Sequence, residues 1–135
     1  MTVIEEKSWQ PLTLELPYPP VTGNQAVRHA GRGVHYKTAP AKAYENAVAI
    51  RVRLARLTDQ IAPEALEGPL VATWVLAPPD RRARDCDNVR KVVGDALTKA
   101  GLWQDDSNRV LVREVFEWTE PTIGGQILLT VGPAA

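Results

Sequence analysis

The sequence is poor in several features, and each scarcity excludes a class of protein. Among 135 residues there is one cysteine, Cys86, which excludes an internal disulfide and a zinc cluster built from thiolates. No apolar run approaches the length of about 20 residues that a membrane-spanning helix needs. Residues 1–10 contain Glu5 and Glu6 and lack the apolar centre of a signal peptide. We therefore expect a soluble, cytoplasmic protein with no membrane partner.

Charge of one sign is not in excess either. Sixteen Lys/Arg offset sixteen Asp/Glu, so net charge gives no indication of nucleic-acid binding. The distribution is uneven, however, because residues 21–60 hold seven Lys/Arg and only two acidic residues. A neutral protein with such a segment can present a positive field on one face.

The hydrophobic pattern predicts an α+β fold. Alternating or continuous apolar residues predict strands at 12–16, 70–77, 110–118 and 126–131. Helical spacing predicts one helix that starts near Pro40 and a second helix over about 86–100. The order β-α-β-α-β-β predicts a single domain over residues 1–135, a mixed β-sheet with two main helices packed on it. We expect residues 1–10 to be a poorly ordered extension.

Two finer predictions concern the first half of the chain. Residues 21–38 are polar and contain glycines, and we predict a long functional loop there. In the first helix, five apolar residues fall at helical spacing and are predicted to form its buried stripe: Ala43, Ala47, Ile50, Leu54 and Leu57.

The acidic motif between the second predicted strand and the second predicted helix carries the chemistry. Asp85 and Asp87 stand two residues apart, and Asp105-Asp106 follows the helix. Basic residues lie on both sides of the motif: Arg81, Arg82, Arg84, Arg90 and Lys91. Carboxylates within a cationic surface indicate a divalent cation held against a phosphate backbone, and oxygen ligands suit Mg²⁺. Since the second helix leads away from Asp85, we expect the strand that follows to bring Asp106 back.

Each of these residues also has a purely structural interpretation. Asp85 is a favoured helix N-cap, and Asp87 in the first turn offsets the helix dipole. Lys91 is placed for an i,i+4 ion pair with Asp87 or Asp95. Asp106 lies in a stretch with ordinary turn composition.

The blocks D-x-D-N-x-x-K, D-A-L-x-x-A-G and D-D occur in this order within residues 80–91 (DRRARDCDNVRK) and 95–106 (DALTKAGLWQDD). Together they resemble the RusA family of Holliday-junction resolvases, which are small nucleases often carried by phages and prophages. The resemblance is dense over about residues 78–110. In front of it, residues 16–20 (LPYPP), Asn24 and Arg28-His29 resemble the family's Pro-Pro-x-Asn segment and basic loop.

The resemblance implies a homodimeric, Mg²⁺-dependent endonuclease that nicks four-way DNA junctions in pairs, in DNA recombination and repair. Asp85, Asp87 and Asp106 match the family's metal-binding positions, and Lys91 matches its essential lysine. Mn²⁺ is expected to substitute for Mg²⁺, and no small-molecule cofactor is expected. A bacterial or phage-encoded protein of this kind works at the nucleoid. The residues expected to contact DNA are Asn24, Arg28, Arg32, Lys37, Arg81, Arg82, Arg84 and Asn88.

Two other functions remain open at this point. One is a junction-binding or duplex-binding protein without catalysis, whose carboxylates only cap a helix. The other is a metal-dependent nuclease that acts on other branched DNA, such as flaps.

Overall fold

Apolar and polar residues alternate along the strands of the main β-sheet, so one face of that sheet is buried. The structure, a computed structural model, describes residues 11–20, 27–29, 35–58, 61 and 64–134, of which 27–29, 35 and 36 are described by their backbone. Its elements are, in order, β1 (Leu12–Leu16), β2 (Val27–His29), β3 (His35–Lys37), α1 (Ala39–Leu57), β4 (Leu70–Ala77), α2 (Cys86–Lys99), β5 (Leu111–Trp118) and β6 (Gln126–Pro133). The prediction for residues 1–10 lies outside this range.

The main sheet is mixed, as predicted. Its strand order is β1-β6-β4-β5, with β4 parallel to β5 and the other pairs antiparallel. Every second residue of β4 is buried, and Trp74 in its middle is fully buried. Leu129 of β6 is buried on the same face as Trp74, and the partly buried Phe116 of β5 packs beside it. Both helices pack on that face, which confirms the α+β fold class.

Helix α2 forms where its apolar stripe predicted it. The stripe is buried: Val89, Val92, Val93, Ala96 and Leu97. Gly101 follows the helix with a φ of 79°, a left-handed conformation that glycine adopts without strain. Leu102 then donates its backbone N–H to Leu97 O, so the chain turns back along the helix at once.

The prediction for α1 was wrong about which face is buried. Its buried apolar residues are Ala41, Tyr44, Val48, Val52 and Ala55, whereas Ile50, Leu54 and Leu57 are exposed. Both sets have helical spacing, so periodicity alone does not distinguish them. Tyr44 anchors the true face, because its hydroxyl donates to Pro17 O at 2.7 Å and its ring joins the core.

The predicted long loop over residues 21–38 is also partly wrong. It contains the antiparallel pair β2 and β3, in register from Val27↔Lys37 to His29↔His35. The strands have three residues each, too few for an alternating pattern to be visible in sequence. No helix in the described part of the chain is both long and apolar enough to cross a membrane.

Glu45 of α1 connects its helix to β3 and to α2. Its carboxylate accepts from Lys37 of β3 and from Lys99 of α2, the latter at 2.7 Å. Burial favours a higher pKa for Glu45, but the two lysines outweigh burial and lower that pKa below 4.5. A carboxyl with a lowered folded-state pKa stabilises the fold above its unfolded pKa, and this contribution is lost as pH falls.

We therefore predict that Glu45→Gln destabilises the fold by about 1–2 kcal/mol at pH 7, since hydrogen bonds to charged groups contribute about 1.5–3 kcal/mol and the exposure of both lysines reduces this. Urea unfolding of both proteins at pH 7 and at successively lower pH measures the difference. The difference should shrink as pH falls below about 4.5. A constant difference at all pH values would show that the charge of Glu45 is not the stabilising feature.

Candidate active site at the start of helix α2

The start of α2 brings two carboxylates together. Asp85 is the N-cap, and its Oδ1 accepts from the backbone N–H of Asp87 at 3.0 Å. Ligand atoms of Asp85, Cys86 and Asp87 lie within 4.8 Å of one another, and both carboxylates are exposed. The capping role is therefore real, but it leaves the Asp87 carboxylate facing solvent. Two carboxylates in this arrangement suit a hard cation such as Mg²⁺, whereas the thiol of Cys86 is a soft ligand.

The three arginines before the helix have different roles. Arg84 is mostly buried and donates to Asp80 Oδ1 at 2.8 Å and to the carbonyls of Asp80 and Arg82, so it shapes the turn. Arg81 pairs with Glu120 at 2.8 Å on an exposed surface. Arg82 is the most exposed of the three, and its Nε lies 3.7 Å from Asp80 Oδ2. Arg81 and Arg82 are thus available to an incoming polyanion, because exposed ion pairs exchange readily.

A groove of about 750 Å³ adjoins Asp85. Its lining combines basic, amide and aromatic groups, including Tyr18, Arg82, Arg84, Asn88 and the prolines at 19, 20 and 79. The Arg84 guanidinium lies 5.8 Å from the centroid of the Tyr18 ring. Burial raises the pKa of the Tyr18 hydroxyl, although the positive charge of Arg84 acts to lower that pKa. The groove therefore offers cationic and stacking surfaces beside the two carboxylates.

Asp105 and Asp106 are neighbours in sequence but make different contacts. Asp105 is exposed and accepts from the backbone N–H of Ser107 at 2.8 Å. Hydrogen bonds from the Ser107 hydroxyl and then from this N–H lower the pKa of Asp105. Asp106 points inward, and its Oδ2 accepts from Arg90 Nη1 at 2.7 Å. Among the residues that the structure describes, the clustered ligand atoms at the start of α2 do not include those of Asp106. The connection 101–110 brings Asp106 to α2 before β5 begins, so the expectation that the following strand returns it was wrong.

Arg90 is the centre of a network that sequence reasoning missed. Its Nε and Nη2 donate to Glu114 Oε1 and Oε2 at 3.0 and 3.1 Å. Its Nη2 also donates to the backbone oxygen of Asp106 at 3.1 Å. The indole N–H of fully buried Trp74 donates to Glu114 Oε1 at 3.2 Å. Gly94 was the available signal: a Cβ there would lie 2.9 Å from Asp106 Oδ2, which explains a glycine inside a helix.

Lys91 is exposed and makes no salt bridge with any residue that the structure describes. Its charge nevertheless acts on Asp95. Burial raises the pKa of Asp95, the charge of Asp106 raises it further, and Lys91, Lys37 and Arg90 lower it. Lys91 and Asp106 therefore share one electrostatic environment on the side of α2 that carries Asp95.

The remaining predicted DNA contacts fall in the basic segment. Asn24 and Arg32 lie outside the described residues, and Arg28 is described only as backbone of β2. Lys37 is half exposed and already binds Glu45. The described part of the site therefore rests on the β4–α2 turn and on the groove beside it.

The chain matches known proteins over most of its length. The model of the family Endodeoxyribonuclease RusA matches residues 17–125. Crossover junction endodeoxyribonuclease RusA from Escherichia coli (strain K12) is 38% identical over 119 residues, which are 88% of this chain and 92% of that protein. The protein of the same name from Shigella sonnei is 37% identical over 119 residues, again 88% and 92% of the two chains. The one from Enterobacteria phage 82 is 37% identical over 118 residues, or 87% and 91%. The residues that the family model matches include the turn, the groove and the Arg90 network, and the chain belongs to the RusA family of endodeoxyribonucleases.

Proposed function

We propose that this protein is a metal-dependent, structure-selective endonuclease that resolves four-way DNA junctions by paired, symmetric nicks during DNA recombination and repair. The observation that carries the proposal is the Asp85 and Asp87 pair, exposed at the start of α2 beside a groove with arginine and asparagine side chains. The family's curated members named above are crossover junction endodeoxyribonucleases, which supports branched DNA as the substrate. Such a protein acts on DNA in the bacterial cytoplasm, at the nucleoid.

Asp85 and Asp87 would hold the divalent metal, which we propose to be Mg²⁺ with Mn²⁺ as a substitute, and Asp106 would complete the set. Asp85 and Asp87 fit that choice, since they are exposed carboxylates with room for the waters that Mg²⁺ retains. When bound, the ion would activate water and neutralise charge that develops on the scissile phosphate.

Lys91 would supply the fixed positive charge at that phosphate. It stands one turn beyond Asp87 on α2, its side chain is exposed, and its charge acts on Asp95, as the charge of Asp106 also does. A preorganised ammonium there stabilises oxygen charge that increases in the transition state.

The groove and the turn arginines would hold the DNA backbone. Arg81 and Arg82 are exposed, and Asn88 lines the groove next to Asp85. Contacts of this kind give affinity and salt dependence without reading base sequence. Arg84 contributes differently, because it fixes the turn that presents Asp85.

A homodimer fits a junction that has near two-fold symmetry, because each of two sites then meets an equivalent strand. The face of the main sheet away from the helices supplies a candidate surface. Leu128 of β6 and Val115 of β5 are each 38% exposed there. They flank Thr73 and Val75 of β4, according to the strand register. Apolar side chains on this face of the sheet thus lack a layer that covers them among the described residues.

We predict that Leu128→Lys converts a dimer into a monomer, since two lysines would meet across a two-fold face. Ile50→Lys is the matched control, because Ile50 is 56% exposed on α1, on the helix side of the molecule. Sedimentation equilibrium should give a dimer for the parent and for the control. A monomeric parent, both free and bound to a junction, would contradict the dimer, and dissociation caused only by Ile50→Lys would contradict this surface.

The substrate class is tested with labelled four-way, flap and linear duplex DNA of matched sequence. Metal-dependent nicking should be fastest on the four-way junction. Faster cutting of flaps would favour a nuclease for other branched DNA. Binding of the junction without cutting at any metal concentration would favour a binding protein whose carboxylates only cap α2.

A further inference from the structure

We propose that Arg90 and Glu114 form a clamp that positions Asp106 for metal binding. In this clamp the negative charge of Glu114 offsets the positive charge of Arg90, so Asp106 can still attract a metal cation. The inference rests on the proposed function and assigns roles to two residues outside the acidic motif. Arg90 donates to both oxygens of Glu114, to Asp106 Oδ2 and to Asp106 O. Two of these four bonds reach Asp106, one at its carboxylate and one at its backbone carbonyl, and the other two fix the guanidinium on Glu114, so Asp106 is held against a rigid donor.

Charge balance explains why the clamp needs Glu114. An arginine alone beside Asp106 would cancel its charge and compete with a cation for it. Glu114 supplies a second negative charge, so the trio of one cation and two anions keeps one net negative charge. Partners that orient metal ligands from the next layer usually change metal affinity or activity by about 10–100-fold when they are mutated.

The clamp is itself held from the core. Glu114 accepts from the indole N–H of Trp74, and the Trp74 ring stacks on Phe116 at 5.8 Å between centroids. Arg90 and Glu114 side chains are 20% and 22% exposed. The clamp therefore joins α2 to β5 at a rigid point and holds Asp106 between them.

The charge claim is tested with Glu114→Gln, whose carbonyl oxygen can still accept from Trp74 and Arg90 Nε but which removes one negative charge and the acceptor for Arg90 Nη2. Mn²⁺ binding to the DNA-free protein is measured by electron paramagnetic resonance of free Mn²⁺. The dissociation constant should rise about tenfold or more. In the double variant Arg90→Gln with Glu114→Gln, the net charge returns to that of Asp106 alone, and the dissociation constant should lie between those of the parent and the single variant. Glu15→Gln makes the same charge change at the opposite edge of the sheet and should bind Mn²⁺ like the parent.

The positioning claim is tested with Gly94→Ala, which changes no charge. Alanine favours the helix, but its Cβ would lie 2.9 Å from Asp106 Oδ2 and 3.3 Å from Arg90 Nη1, so the contact between the carboxylate and the guanidinium must shift. We expect a melting temperature no lower than that of the parent together with weaker Mn²⁺ binding and a higher Mn²⁺ concentration for half-maximal nicking.

A clamp that serves only fold stability predicts the opposite pattern: lower melting temperatures with parental Mn²⁺ binding in Glu114→Gln and Gly94→Ala. That result would overturn the inference and leave the proposed function intact. A parent protein that neither binds Mn²⁺ nor nicks junctions would instead contradict the proposed function, and the clamp with it.

Discussion

Asp87→Asn should lower the rate of junction nicking by more than about 100-fold while leaving junction binding intact. The expected loss of nicking rate is larger than the typical effect of mutating a residue that only orients a metal ligand, because Asp87 is proposed to bind the metal directly. The fold should tolerate the change, since a first-turn carboxylate contributes only about 0.3–1 kcal/mol through the helix dipole and Asp87 is exposed.

Three measurements on this variant separate the interpretations. Single-turnover nicking gives the catalytic effect, a gel shift without metal gives binding, and the melting temperature reports the fold. Asp105→Asn is the matched control, because Asp105 is an exposed turn residue whose hydrogen bond to Ser107 an asparagine can retain. Undiminished nicking by Asp87→Asn would remove Asp87 from the site.

Lys91→Met should give a protein that folds, binds junctions and barely cuts them. Loss of one preorganised charge at a developing oxyanion typically costs on the order of 10²–10³ in rate. The melting temperature should hardly move, because Lys91 is exposed and makes no salt bridge within the described residues. Even an i,i+4 ion pair of Lys91 with Asp87 or Asp95 would stabilise the fold by only about 0–1 kcal/mol.

Two further variants sharpen the test of Lys91. Lys91→Arg should recover little activity, since a planar guanidinium does not reproduce a compact ammonium. Lys42→Met, at an exposed position of α1, should cut at the parental rate and so controls for the loss of a surface lysine. Parental cutting by Lys91→Met would return Lys91 to the role of a solvated surface charge.

Each helix or strand was predictable to the extent that its local sequence carries a single apolar pattern. Helix α2 and strand β4 were predicted because each has one strong apolar pattern and clear stop residues, such as Gly101 after α2. The buried face of α1 was not predictable, since two apolar stripes compete and only the tertiary contact of Tyr44 with Pro17 selects one.

The same distinction applies to the candidate site. Asp85 and Asp87 are neighbours in sequence, so their proximity follows from the start of one helix. The placement of Asp106 depends on how residues 101–110 turn back, and the contact of Arg90 with Glu114 joins positions 24 residues apart. No local pattern encodes that pairing, although Gly94 inside an otherwise regular helix marked the place where another chain segment comes close.

The most direct test of the central claim is a nicking assay of the purified protein on a synthetic four-way junction, with Mg²⁺ and with Mg²⁺ removed by EDTA, resolved on a denaturing gel. We predict two nicks at symmetry-related positions in opposing strands that require the metal and disappear in Asp87→Asn. Intact strands at every Mg²⁺ concentration, or nicks that persist in EDTA, would contradict a metal-dependent junction endonuclease.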